Sequence, residues 1–212
     1  DLGSPQLSST NSWNLLSTVP GCTKTWPKVP WRDFIIQVPS VQLLVPLDTP
    51  EVFFDLASGE ISLGRVTIRF WGNLKRAQHF LALCLGTFGP TYKGSSFDSV
   101  QVNENGRNRF LIGGYYNTIE RTKSACSMME ELEWDGKYNQ NMRKGLISGW
   151  SYQKPELEST FGFACGESFS VPLYCPFGEV SSGMQVLDDK SLPQNLTDIK
   201  ITDCGLMPSQ SM

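Results

Sequence analysis

Past Glu51 the chain is a succession of short apolar runs cut apart by glycine-rich turns, and that punctuation sets what it can fold into. Val52-Phe53-Phe54-Asp55-Leu56-Ala57, the turn Ser58-Gly59-Glu60, and Ile61 to Phe70 read as a β-hairpin whose second strand alternates apolar and polar from Val66. Further strand candidates are 97–102, 110–115, 145–150, 160–165, 176–181 and 197–203. Between the hairpin and these lies one stretch of helical spacing: Leu74, Ala77, Phe80, Leu81, Cys84 and Leu85 share a side, Asn73 is placed to cap it, and Gly86 stops it. Many short strands, few helices, and 19 glycines with 13 prolines in 212 residues predict a closed β-barrel with an amphipathic surface helix packed on the sheet.

Residues 1–50 have a different texture. Ser, Thr and Pro dominate, and Trp13, Trp26 and Trp31 stand among Pro20, Pro27, Pro30, Pro39, Pro46 and Pro50. Proline at this density forbids a long helix. Yet Phe34 to Val38 and Val41 to Val45 are apolar and β-prone, and three tryptophans are costly to leave in water. The expected organisation is an extended Ser/Pro/Trp-rich arm over 1–50, lying on its own barrel or on a neighbour's and thereby a route to a homo-oligomer, followed by a barrel over 51–207.

Charge narrows the function. The 18 basic against 21 acidic residues, a net of −3, argue against a nucleic-acid module built on a basic face. No apolar run approaches the roughly 20 residues of a membrane helix, and the first residues lack a signal-peptide layout, so no membrane association is expected. The chain opens on Asp1 and reads as a piece of a larger multidomain protein. Six scattered cysteines without CxxC or CxxH spacing read as buried free thiols in a reducing compartment, hence an intracellular location, nuclear or cytoplasmic, with no metal and no cofactor. Asn195-Leu196-Thr197 matches a glycosylation sequon, which matters only in a secreted chain.

The order of several words is more specific than a generic barrel. They are Val52-Phe53-Phe54-Asp55-Leu56, Leu63-Gly64-Arg65-Val66, Ala77 to Leu83, Tyr92-Lys93-Gly94-Ser95-Ser96-Phe97, Ile112-Gly113-Gly114, Gly145-Leu146-Ile147-Ser148, Phe177-Gly178-Glu179-Val180 with Gly183-Met184, and Ile199 to Gly205. In this order they resemble the cyclophilin family of peptidyl-prolyl isomerases over about three quarters of the chain. The resemblance implies an eight-stranded antiparallel closed barrel capped by two helices, the second near Gly183 to Lys190. All of these words are packing words, and none of them speaks to activity.

The resemblance also implies a groove on the outer face of the barrel. There an arginine after Phe-His holds the prolyl carbonyl while the amide twists over a barrier of about 18–20 kcal/mol. Laid on this sequence, the histidine falls at Asp98 and the arginine at Ser99. An aromatic becomes Arg109, a methionine Phe110 and a glutamine Ile112. A wall alanine becomes Trp150, the asparagine after it Ser151, a glutamine Thr160, and the phenylalanine flooring the proline pocket Gly162. Past Cys165 the tryptophan, leucine and histidine of the pocket fall at Phe169, Ser170 and Tyr174. On this alignment no polar catalytic position is retained. His79 is the one histidine of the chain and reads as a solvated or half-buried structural residue, which leaves triads and metal sites little to work with.

The sequence is therefore read as a catalytically inactive cyclophilin-like domain that binds a protein or peptide partner. The alternative is a slow isomerase with a rearranged groove, in which Arg107 or Arg109 restores the donor. Segment 121–143, with Met128-Met129-Glu130-Glu131-Leu132-Glu133-Trp134, replaces a family loop. Two readings of it stand open: a loop tucked onto the barrel, or an interaction patch. Asp98, Arg109, Met129, Leu132, Trp134 and Trp150 are the candidate partner-binding residues.

Overall fold

A computed structural model describes residues 36–38, 41–43, 50–71, 74–87, 89–102, 109–118, 120, 122–129, 132–134, 140–151, 154–166, 172–173, 175–188 and 198–208. Most of the arm lies outside these. Its two β-prone runs supply the backbone of a small antiparallel pair, β1 (Ile36–Val38) and β2 (Val41–Leu43). Then come β3 (Glu51–Ser58), β4 (Ile61–Phe70), helix α1 (Lys75–Leu85), β5 (Ser99–Val102), β6 (Arg109–Gly113), β7 (Tyr116–Asn117) and β8 (Lys123–Ser124). The chain continues through β9 (Gln140–Asn141), β10 (Leu146–Gly149), β11 (Phe161–Ala164), β12 (Pro172–Leu173), β13 (Pro176–Ser182) and β14 (Ile199–Leu206).

Eight of these strands form one antiparallel sheet in the order β14-β3-β4-β13-β10-β11-β6-β5. The expected hairpin is present as β3 and β4, paired from Glu51 with Arg69 to Ser58 with Ile61. Closure into a barrel is corrected. β5 and β14 remain the edges; β14 meets the segment ahead of β5 through one bridge between Ser96 and Lys200 and three backbone bonds: Gly94 N–H to Ile201 O (2.7 Å), Phe97 N–H to Ile199 O (3.3 Å) and Ile201 N–H to Ser95 O (2.8 Å). Residues 92–95 turn instead of extending, so β5 starts at Ser99 rather than Phe97 and no ladder develops. The sheet is a half-barrel.

The core lies in the hollow of this sheet under α1. Phe80 reaches in from the helix and stands 4.9 Å from Phe161, 5.1 Å from Tyr92, 5.4 Å from Phe54 and 5.5 Å from Phe70, ring centre to ring centre. Each pair of this kind adds about 0.5–1.5 kcal/mol beyond burial of the rings. α1 ends where the sequence predicts, with Gly86 in the left-handed region at φ 60°. Its other end differs from expectation: the N-cap residue is Leu74, which has no side-chain oxygen to cap with. The Glu133 carboxylate does the work instead, accepting the N–H of Lys75 (2.8 Å) and of Arg76 (3.0 Å).

α1 is not a surface helix. Nine of its eleven residues, Arg76 through Cys84, are buried, because residues 126–129 and 132–134 cover the face turned away from the sheet. His79, expected to be solvated or half-buried, is 2% exposed, and its Nε2 accepts the N–H of Met128 at 3.2 Å. Burial first, then the nearby Arg76 charge, lowers its pKa from 6.5 to about 3, so the ring is neutral.

Two further expectations are corrected. The second helix near Gly183 to Lys190 is a single 3-10 turn, Met184–Leu187, because Gly183 enters it at φ 82° and Asp188 leaves it extended. Among the described residues there, only Val186 and Leu187 are buried, too short an apolar stripe to hold a longer helix on β4. The other correction concerns the cysteines. Cys84, Cys165, Cys175 and Cys204 are thiols, but Cys126 is disulfide-bonded, so the thiol-based argument for a reducing compartment loses its basis. No helix among the described residues is long and apolar enough to cross a membrane.

Candidate functional site

Strand pairing decides which face each groove residue occupies. Val100, Leu111, Phe163 and Ile147 sit opposite one another across β5, β6, β11 and β10, and Leu111, Phe163 and Ile147 are fully buried in the core. Side chains alternate along a strand, so their neighbours face outward. That outward row is Ser99, Ile112, Gly162 and Ser148, again in register; the next is Gln101, Phe110 and Ala164. Ser99 and Gln101 are exposed at the sheet edge, while Ser148 is fully buried with its hydroxyl unpaired among the described residues.

Trp150 is the residue that shapes this face. It follows β10, its backbone N–H donates to Thr160 O (3.1 Å), and its indole lies over Gly162 of β11. A Cβ on Gly162 would lie 2.7 Å from Trp150 Cε3, 3.2 Å from Cζ3 and 3.3 Å from Ile112 Cδ1. Real Cβ atoms do not approach that closely, so glycine at 162 is what lets the ring lie flat there. Phe110 completes the aromatic surface, its ring centre 4.9 Å from that of Trp150 at an interplanar angle of 45°. Behind Phe110 a second apolar cluster of Met142, Leu146, Ala164 and Leu173, with Trp71 against it, supports the outer face.

The polar groups stand at the margins of this floor. Thr160 is buried, with its hydroxyl 2.6 Å from Leu157 O and 2.9 Å from Ser151 Oγ, so it is committed to the loop; Ser151 is half-buried. Asp98 sits before β5, where its N–H donates to Ile112 O at 2.9 Å. Partial loss of water around its carboxyl raises its pKa from 3.8 to about 6, against the opposing pull of Lys123. Arg109 is on the other side of β6, in phase with Leu111 and not with Phe110 and Ile112. Its charge lies near Cys165, whose thiol burial raises to about 11 despite a backbone bond at Leu111 and the Arg109 charge.

The structure thus brings Ser99, Phe110, Ile112, Trp150 and Gly162 onto one face, with Ser151 and Thr160 at its end. Phe169, Ser170 and Tyr174 lie outside the described residues, as does Arg107. In segment 121–143, Leu132 is buried at 4% exposure, Met129 is half-buried, and Trp134 is half-buried with the Arg76 guanidinium 4.0 Å over its ring. Arg76 and Glu133 were not singled out by sequence. Nothing local marks them, since their partners are more than fifty residues away.

No family model matches the chain. A peptidyl-prolyl cis-trans isomerase of Encephalitozoon cuniculi (strain GB-M1) is 25% identical over 169 residues, covering 74% of this chain and 95% of the relative. That similarity supports a cyclophilin-like domain and, at most, the cyclophilin-type family. It also corrects the expectation that the domain is not an enzyme, because the relative is named as an isomerase and points to an enzyme.

Proposed function

We propose that this domain is a peptidyl-prolyl cis-trans isomerase with a rearranged groove, acting on Xaa-Pro segments of a protein or peptide partner. The carrying observation is the Trp150 indole lying across Gly162 beside Ile112 and Phe110. It offers a flat apolar floor to a proline ring, supplied from β10 rather than from position 162.

The chemistry asked of such a surface is modest. A planar amide owes its barrier to resonance that places negative charge on the oxygen, and water stabilises that polar form. Twisting about C–N removes the resonance and the polarity. An apolar floor that strips water from the prolyl amide therefore favours the twisted state over the planar one, which is what differential binding requires. Ser99, exposed beside Ile112 on the same face, places a hydroxyl at the margin of the floor to donate to the proline's own carbonyl, and not to that of the rotating amide, where a donor would favour the planar form. One neutral donor is weaker than a charged fork, so turnover by this route is slow.

The test is cis/trans exchange of an Xaa-Pro peptide followed by NMR without any coupling protease. The full chain is expected to accelerate exchange above buffer. Trp150→Ala is expected to lose at least about tenfold of that acceleration, the order a lost aromatic contact carries, and Ser99→Ala a smaller share. No acceleration by the parent chain would overturn the reading.

A further inference from the structure

The segment that covers α1 and the floor of the groove meet at a buried arginine. Arg76 is 3% exposed. Its Nε donates to Glu133 O (3.0 Å) and its Nη1 to Glu158 O (3.0 Å), and its guanidinium carbon lies 4.0 Å over the Trp134 ring. The Trp134 indole N–H donates in turn to Glu158 Oε1 at 3.2 Å, so the ring and the cation hold the same loop. That loop leads through Ser159 into Thr160, whose carbonyl receives the Trp150 N–H. From the other direction the guanidinium presses on Gly149, where a Cβ would fall 2.7 Å from its central carbon. Arg76 therefore touches the residue before Trp150 and clamps the strand approach that fixes its backbone.

We propose that Arg76 is a positioning residue for Trp150, and that through it the Glu133–Trp134 segment sets how the floor of the groove lies. The chain of contact is continuous: Trp134 to Arg76, Arg76 to Gly149 and to Glu158, and from both to Trp150. A rigid planar cation suits this place because it fills the space over a glycine with its flat face and directs Nε and Nη1 to two carbonyls from different segments, while Nη2 has no partner among the described residues. The Cys175 thiol, donating to Glu133 O while its own carbonyl accepts the Gly149 N–H (3.2 Å), closes the ring on the far side. A partner that grips Trp134 from its exposed side would pull on the floor without entering the groove. The functional half of this inference rests on the floor reading of Trp150; the structural half does not.

The experiment is 19F NMR of the full chain labelled with 5-fluorotryptophan. The Trp150 signal is assigned by its loss in Trp150→Phe. It is expected to shift or broaden in Arg76→Met and in Trp134→Phe, to return towards its parental position in Arg76→Lys, which restores a charged donor, and to stay put in the remote core variant Ile199→Val. Titration of the same samples with an Xaa-Pro peptide is expected to give affinities lowered by roughly threefold to tenfold in Arg76→Met and Trp134→Phe, the usual size of coupling between touching groups. A Trp150 signal unmoved in folded Arg76→Met overturns the coupling; if that variant does not fold, an unmoved signal in Trp134→Phe does so. A signal that moves equally in Ile199→Val also overturns it, since general loosening would then explain the shift. If the parent neither binds nor isomerises the peptide, the proposed function falls while the fluorine signals still decide the coupling.

Discussion

Gly162 and Trp150 are legible as a pair only in three dimensions, since each looks like a loss when taken singly. A glycine in the middle of β11 weakens the strand, and a tryptophan at the end of β10 has no obvious partner; together they make one surface. Gly162→Ala is expected to cost about 1–3 kcal/mol, because the new methyl lands on the indole. The cost should shrink when Trp150→Ala is present as well, and urea unfolding of the two single variants and the double variant measures that non-additivity. His79 gives a second residue-level expectation. Its pKa of about 3 in the folded chain lies below the ordinary 6.5. Between those values the unfolded chain takes up a proton that the folded one refuses. Stability is therefore complete above pH 6.5 and falls on acidification, with a slope of up to about 1.4 kcal/mol per pH unit. Asp98 acts in the opposite sense. With its pKa raised from 3.8 to about 6, the stability it contributes is present below 3.8 and lost as pH rises through 6. The His79 share is read as the difference in acid slope between the parent and His79→Gln, whose denaturation curves should converge in steepness if the histidine is not the cause.

Among the elements, α1 shows how a good periodic signal still misjudges its surroundings. Its length follows from Leu74 to Leu85 at helical spacing and from Gly86, all local information. Its cap does not, for Glu133 sits 58 residues from Lys75 along the chain. Two N–H groups and the positive end of the helix converge on that carboxylate. Glu133→Ala is expected to cost about 1–2 kcal/mol in chemical denaturation, the usual price of a lost N-cap with a charge contribution. An unchanged midpoint would mean that water replaces the carboxylate at no loss. The second helix has the converse lesson: the resemblance implied it near Gly183 to Lys190, yet the described residues there make one 3-10 turn with Val186 and Leu187 buried.

Over the whole molecule, the half-barrel leaves β5 and β14 as edges, with β14 meeting only residues 94–97 ahead of β5 through one bridge and three backbone bonds, while the disulfide at Cys126 adds a covalent restraint on the segment that covers α1. Removing such a restraint frees the unfolded chain, typically at about 2–4 kcal/mol. Reductant is accordingly expected to lower Tm by several degrees, and Cys126→Ser should show the lower Tm without further response to reductant. Equal melting curves with and without reductant would show that the bond contributes nothing to stability.

The hairpin of β3 and β4, the limits of α1 and the approximate places of β6, β10, β11, β13 and β14 could be read from the chain, because period-2 alternation, helical spacing and turn glycines are properties of near neighbours; the groove residues came only from the family resemblance, and of them Arg109 lies on the other side of β6. Tertiary structure alone decided the rest. Whether Trp150 would point to solvent or fold back over Gly162, whether His79 would be wet or neutral and buried, and whether Arg76 would be a surface charge or a clamp between Glu133 and Glu158 all depend on segments tens of residues apart meeting. No local pattern encodes such meetings, since their free energy arises only when the core has brought the partners together and water has left.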